Sequence, residues 1–187
     1  MDPSERDILL VDLDGPLADF DRGFNDRWQA EFSAEFRVPL GTRKTFRMVD
    51  AYPEHLRESV RGVTTREGFF LDLPVVEGAG EALRQLREAG WRISICTSPL
   101  ISYEHCVGEK YRWVERNLGS DYVRAVIMTR DKTLCRGRFL IDDNPKISGA
   151  LEPAWEHILF DAPYNREAPG KRITRWSDWE RIVGKPA

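Results

Sequence analysis

The residues best able to do chemistry stand at the ends of short apolar runs. Ile8-Leu9-Leu10-Val11 leads into Asp12-Leu13-Asp14-Gly15-Pro16, and Ile93-Ser94-Ile95-Cys96 leads into Thr97-Ser98-Pro99. A run ending at Met128 precedes Thr129-Arg130-Asp131-Lys132-Thr133, and Phe139-Leu140-Ile141 precedes Asp142-Asp143-Asn144-Pro145. Asp12 and Asp14 share a face if the strand conformation persists past Val11, because strand side chains alternate. Two carboxylates that close repel unless a cation sits between them. The pair therefore predicts either a divalent metal site or a strongly perturbed carboxyl pair, with an acidic turn as the plain alternative. Singly, Thr97-Ser98-Pro99 reads as a turn, Lys132 as a solvated charge and Asp142-Asp143 as a helix cap. Jointly they read differently. Acids from two runs are the oxygen ligands that Mg²⁺ prefers. Hydroxyls and a lysine are donors for phosphate oxygens. This is the equipment of metal-assisted phosphoryl transfer, with one carboxylate left to act as nucleophile and another as general acid/base.

Such a site requires its strands to run parallel, so that their carboxyl ends converge on one edge of the sheet. The pattern agrees. Strands are expected at residues 8–11, Trp91 to Thr97, Tyr122 to Met128, Arg138 to Asp142 and Trp155 to Asp161. Helical stripes are expected at 19–36 (Phe20, Phe24, Trp28, Phe32), Pro53 to Arg61 with Gly62 as its stop, Ala79 to Ala89 before Gly90, Val107 to Leu118 before Gly119, and Trp176 to Val183. Strands alternating with helices imply an α/β fold with a doubly wound, Rossmann-like parallel sheet. Residues 19–73 have no apolar β-branched run and interrupt the alternation. They read as a small helical cap inserted after the first strand, leaving 1–18 and 74–187 as the core.

The chain has 187 residues, 41% hydrophobic and 32% charged, with a net charge of −3. That is enough for one core and a small subdomain. The charge and the lack of a basic run argue against a nucleic-acid polymer as partner. No segment has the apolar length to span a bilayer, and the residues before Ile8 carry no targeting pattern, so the expected compartment is the cytoplasm. Cys96, Cys106 and Cys135 lack metal-ligand spacing and read as buried or free thiols.

Asp12-Leu13-Asp14-Gly15, Thr97, Lys132 and Ile141-Asp142-Asp143 resemble the four motifs of the haloacid-dehalogenase-like phosphatases. Longer strings are similar to the cytosolic and mitochondrial 5′(3′)-deoxyribonucleotidases: Asp14-Gly15-Pro16-Leu17-Ala18-Asp19-Phe20, Gly68-Phe69-Phe70-Leu71-Asp72-Leu73, Ile95-Cys96-Thr97-Ser98-Pro99-Leu100, His105 through Glu115, Thr129-Arg130-Asp131-Lys132-Thr133 and Trp155 through Phe160. The resemblance implies a Mg²⁺-dependent nucleotidase that prefers deoxyribonucleoside monophosphates. It implies Asp12 as nucleophile forming an aspartyl-phosphate and Asp14 as general acid/base. Metal ligands would be Asp12, the Asp14 backbone carbonyl and Asp143, with Asp142 in support. Thr97, Ser98 and Lys132 would bind phosphate. Phe20 and Phe46 would stack on the base, with Arg47 and Met48 beside them. Apolar crowding near C2′ would disfavour a ribose hydroxyl. Pro16 stands where the family usually has valine, and Arg47 where relatives have a large apolar residue. A phosphatase of another small phosphomonoester, such as a sugar phosphate, and a non-catalytic nucleotide-binding protein are the alternatives. The expected partner is a small nucleoside monophosphate, not a membrane; a homodimer is left open.

Overall fold

The computed structural model describes residues 5–186. Six parallel strands form one sheet: β1 (Ile8–Val11), β2 (Arg92–Thr97), β3 (Val126–Met128), β4 (Phe139–Asp142), β5 (Glu156–Phe160) and β6 (Lys171–Ile173). Their order is β3-β2-β1-β4-β5-β6. Leu9, Leu10 and Val11 are all 0% exposed. Consecutive buried residues need cover on both faces of the sheet, which explains the unbroken apolar run. The chain steps outward from β1 to β3, then returns to the other side of β1 with β4. This reversal opens a crevice at the carboxyl ends of β1 and β4, where doubly wound sheets bind ligands. Asp12 and Asp142–Asp143 stand on its two sides.

The helices are α1 (Phe20–Glu31), α2 (Arg57–Thr65), α3 (Ala79–Glu88), α4 (Tyr103–Leu118), α5 (Ser120–Val123) and α6 (Trp179–Val183). Asp19 caps α1 by accepting from the Arg22 amide, as short polar N-caps do. Between β1 and α3 the chain forms α1, α2 and short 3₁₀ turns, and no strand among these residues. It leaves and re-enters the sheet side by side. The Asp19 amide donates to the Pro74 carbonyl at 2.7 Å and the Val76 amide to that of Leu17 at 2.8 Å. An aromatic cluster of Phe24, Trp28 and Tyr52 fills this segment, with centroids 4.8–5.7 Å apart.

Several expected boundaries move. The helix expected over 19–36 stops at Glu31, where Phe32 stacks back on Trp28 at 4.6 Å and the Trp28 indole donates to the Phe36 carbonyl. Gly62 does not stop α2; it lies inside it, facing open space, and the helix runs on to Thr65. Tyr122 belongs to α5 rather than β3, with Arg87 lying 5.0 Å above its ring. β6 is an unexpected strand. Its Lys171-Arg172-Ile173 sequence is too short and polar to show a pattern, yet Ile173 is fully buried. Cys96, Cys106 and Cys135 are free and buried, as expected.

Candidate active site

β1 delivers Asp12 to the crevice with its amide bonded to the Ile141 carbonyl of β4 at 2.8 Å. The chain then turns sharply. Leu17 and Ala18 amides both reach back to the Leu13 carbonyl, and Gly15 adopts φ +96°. A side chain at Gly15 would sit 2.2 Å from Asp143 Oδ2, so only glycine fits between this turn and β4. The Trp176 indole, just before α6, donates to the Pro16 carbonyl at 2.7 Å and fixes the turn from behind. Pro16 thus lacks an amide, but its carbonyl is anchored.

Asp12, Asp142 and Asp143 are buried, and each offers an oxygen within 4.8 Å of the others. Lys132 lies between two of them, 3.0 Å from Asp12 Oδ1 and 2.7 Å from Asp142 Oδ2. Burial drives the Asp12 carboxyl up to about 6 against the attraction of Lys132. Burial and the neighbouring carboxylates push Asp143 well above the usual carboxylate range. Burial also raises Asp142, but Lys132 and the Asn144 amide more than offset it and hold it low. Burial opposes the charge of Lys132, and Asp12 and Asp142 raise its pKa regardless. Asp142 spends both oxygens on Lys132 and Asn144, which suits support. Asp12 bonds the Leu13 amide and Lys132 through Oδ1, leaving Oδ2 with no partner among the described residues. Asp14 Oδ1 is buried and equally unpartnered. An oxygen-only, buried, under-neutralised cluster fits a hard divalent cation.

Asp14 is held from the other side. Lys110, 1% exposed in α4, places its ammonium 2.7 Å from Asp14 Oδ2, 3.0 Å from Thr97 Oγ1 and 2.7 Å from the Ser98 carbonyl. Its neighbour Glu109, equally buried, accepts the amides of Gly68, Phe70 and Leu71 at 2.5–3.4 Å. The acids open into a cavity of about 760 Å³. All the expected insert residues line it: Phe20, Phe46, Arg47 and Met48. Phe20 packs edge-on to Phe69 at 5.3 Å, Phe46 is half exposed against the Tyr164 ring, and Arg47 is exposed, 3.9 Å from Asp50. Ser98 and Lys132 also line the cavity, whereas Thr97 is 1% exposed and sits behind its wall with its hydroxyl on Lys110.

Nothing in the sequence pattern marks Lys110, Glu109 or Tyr164 as site residues. Lys110 and Glu109 lie inside a helix, away from any strand end. The only signal was an adjacent acid and base on a helix with an otherwise apolar buried side. Tyr164 comes from a stretch with no periodicity, and its phenol donates to Asp143 Oδ2.

This topology is a haloacid-dehalogenase-like, doubly wound α/β fold. A haloacid-dehalogenase family hydrolase from Deinococcus radiodurans superposes with a TM-score of 0.60 at 16% identity, covering 97% of this chain and 98% of that one. One of subfamily IA from Geobacter sulfurreducens gives 0.54 at 13%, covering 98% and 99%. The chain belongs to the 5′ nucleotidase, deoxy (pyrimidine), cytosolic type C family, whose model matches residues 6–186, and it is a phosphomonoester hydrolase. The human cytosolic-type 5′(3′)-deoxyribonucleotidase is 44% identical, over 94% of this chain and 92% of its own length. The human mitochondrial 5′(3′)-deoxyribonucleotidase is 36% identical, over 94% and 81%.

Proposed function

We propose that the chain is a Mg²⁺-dependent phosphatase that hydrolyses nucleoside monophosphates, with preference for deoxyribonucleotides, through an aspartyl-phosphate on Asp12. The observation that carries this is the division of labour between the two aspartates of one loop. Asp12 keeps Oδ2 unengaged beside Lys132. Asp14 is bound instead to Lys110. Asp12 is the nucleophile, and Asp14 protonates the departing nucleoside oxygen, then takes a proton from the water that attacks the intermediate. Asp12, Asp143 and the Asp14 carbonyl would hold the cation, with Asp142 and Lys132 as support. A divalent cation there supplies charge neutralisation for an anionic nucleophile meeting an anionic ester. Lys132, Ser98 and the Thr97 segment serve the phosphate oxygens, with Lys110 joining the Thr97 hydroxyl to the Ser98 carbonyl.

Residues 19–73 act as the cap that selects the leaving group. Phe20 and Phe46 at the cavity wall favour a flat nucleobase over a bare sugar phosphate, since aromatic faces gain from stacking. Arg47 and Met48 complete the base side. The compartment is read as cytoplasmic. The cytosolic-type relative supports this, and no helix among the described residues is long and apolar enough to cross a membrane. Phosphate release from a nucleotide panel, with and without EDTA, tests the reading. Equal turnover of dUMP and UMP removes the deoxyribose preference; retained turnover by Asp12→Asn removes the covalent route.

A further inference from the structure

Tyr164 ties the insert to the acidic cluster. Its phenol donates to Asp143 Oδ2. Its ring is clamped from the insert by the Arg43 guanidinium, 4.1 Å from the centroid, and by Phe46 at 5.8 Å. Arg43 is itself 5% exposed and fixed, bonding Asp21 through Nη2 at 2.6 Å and the Thr45 carbonyl through Nη1 at 2.7 Å, with the Phe46 carbonyl beside it. Asn165, next in sequence and 1% exposed, donates to the Asp143 carbonyl at 2.8 Å. Asp143 is thereby gripped at its backbone and at one carboxylate oxygen by consecutive residues.

We propose that Tyr164 is a positioning residue through which the insert sets the divalent-cation affinity of the Asp12–Asp142–Asp143 cluster. The phenol occupies one oxygen of Asp143 and, with Asn165 on its backbone, fixes how the carboxylate is presented to the cluster. Carboxylate ligands depend on such outer partners for orientation. Arg43 and Phe46 hold the ring, so the loop that presents Phe46 to substrate also governs how firmly Asp143 is aimed. The proposal rests on the reading of the cluster as a cation site.

The test is Mn²⁺ binding to the whole chain, followed by the loss of the free-ion paramagnetic resonance signal, without substrate. Tyr164→Phe keeps the ring and removes the donor. It is expected to raise the Mn²⁺ dissociation constant about 10-fold or more. Arg43→Lys keeps the charge but loses the planar fork. It is expected to raise the constant by a smaller factor, and by nothing further when combined with Tyr164→Phe, since coupled residues are not additive. Thermal melting checks that each variant folds; should Arg43→Lys fail to fold, Phe46→Leu replaces it in the same cycle. Unchanged Mn²⁺ binding by Tyr164→Phe overturns the proposal, as does an Arg43→Lys effect that persists at full size in the Tyr164→Phe background. A wild-type chain that binds no Mn²⁺ overturns the cation reading and this proposal together. Normal binding by the wild type and by Tyr164→Phe alike overturns only the latter.

Discussion

Lys110 forms a buried ion pair with Asp14 across 2.7 Å, with the Phe70 ring 4.9 Å from its ammonium. The cation is 1% exposed and the Asp14 side chain 26% exposed, so the lysine fixes an acid that still reaches the cavity. Lys110→Met is expected to lower kcat for nucleotides by about 10²-fold, the scale of one general acid/base. KM should change far less. A nitrophenyl ester, whose leaving group needs no proton, should keep its first-turnover burst. Comparing burst and steady-state rates for the two substrates checks this; equal losses in both phases would assign Lys110 a purely structural role.

Cation binding and pH should be linked through Asp12. Its carboxyl lies at about 6 in the folded chain against an ordinary 3.8. A raised folded value means that its stabilisation is fully present below 3.8 and is lost as pH rises through about 6. Asp143 moves in the same direction. Asp142 is lowered, so its contribution is present above 3.8 and does not decline across this window. In EDTA the melting temperature should therefore fall between pH 5 and pH 7.5. Added Mg²⁺ should restore it mainly at pH 7.5, where it no longer competes with protons. A Mg²⁺ shift equal at both pH values would refute the linkage.

Gly15→Ala combines two penalties, a positive φ and a methyl placed 2.2 Å from Asp143 Oδ2. The backbone term alone costs about 1–3 kcal/mol. The variant should melt lower and bind Mn²⁺ more weakly, because relief requires Asp143 to move. Calorimetry of melting and of Mn²⁺ binding measures the two effects separately.

Arg47 lines the cavity with 69% of its side chain exposed, 3.9 Å from Asp50. Its donors suit keto oxygens on a base. Arg47→Leu should change the ratio of kcat/KM between a keto-rich and an amino-bearing pyrimidine nucleotide by about 10-fold. Turnover of a nitrophenyl phosphate, which has no base, should stay within about 2-fold. An unchanged ratio places Arg47 outside base selection.

Much of the site was legible because its acids stand at strand ends. Asp12, Asp14, Lys132, Asp142 and Asp143 each follow an apolar run, and parallel topology alone brings such ends together. The same logic located Thr97 but not its burial, since a strand's last residue can face the wall as readily as the cavity. Lys110 was hidden because nothing local marks a helical lysine as buried; its partners lie 12 to 96 residues away. β6 escaped because an edge strand of three residues shows no alternation. Gly62 misled because glycine is also tolerated inside a helix whose surface there meets nothing.

The bond from the Trp176 indole to the Pro16 carbonyl joins residues 160 apart. It ties the first loop of the sheet to the segment that follows its last strand. The turn carrying the acids lies near the start of the chain, and its anchor lies beyond β6, the strand at the far edge of the sheet. Without the Trp176 indole that carbonyl would lose its partner, at a cost of about 1–3 kcal/mol if it stays buried. Loss of the residues after β6 would therefore loosen the turn that carries Asp12 and Asp14 on one side, while its bonds to Leu13, Ala18 and Pro74 remain.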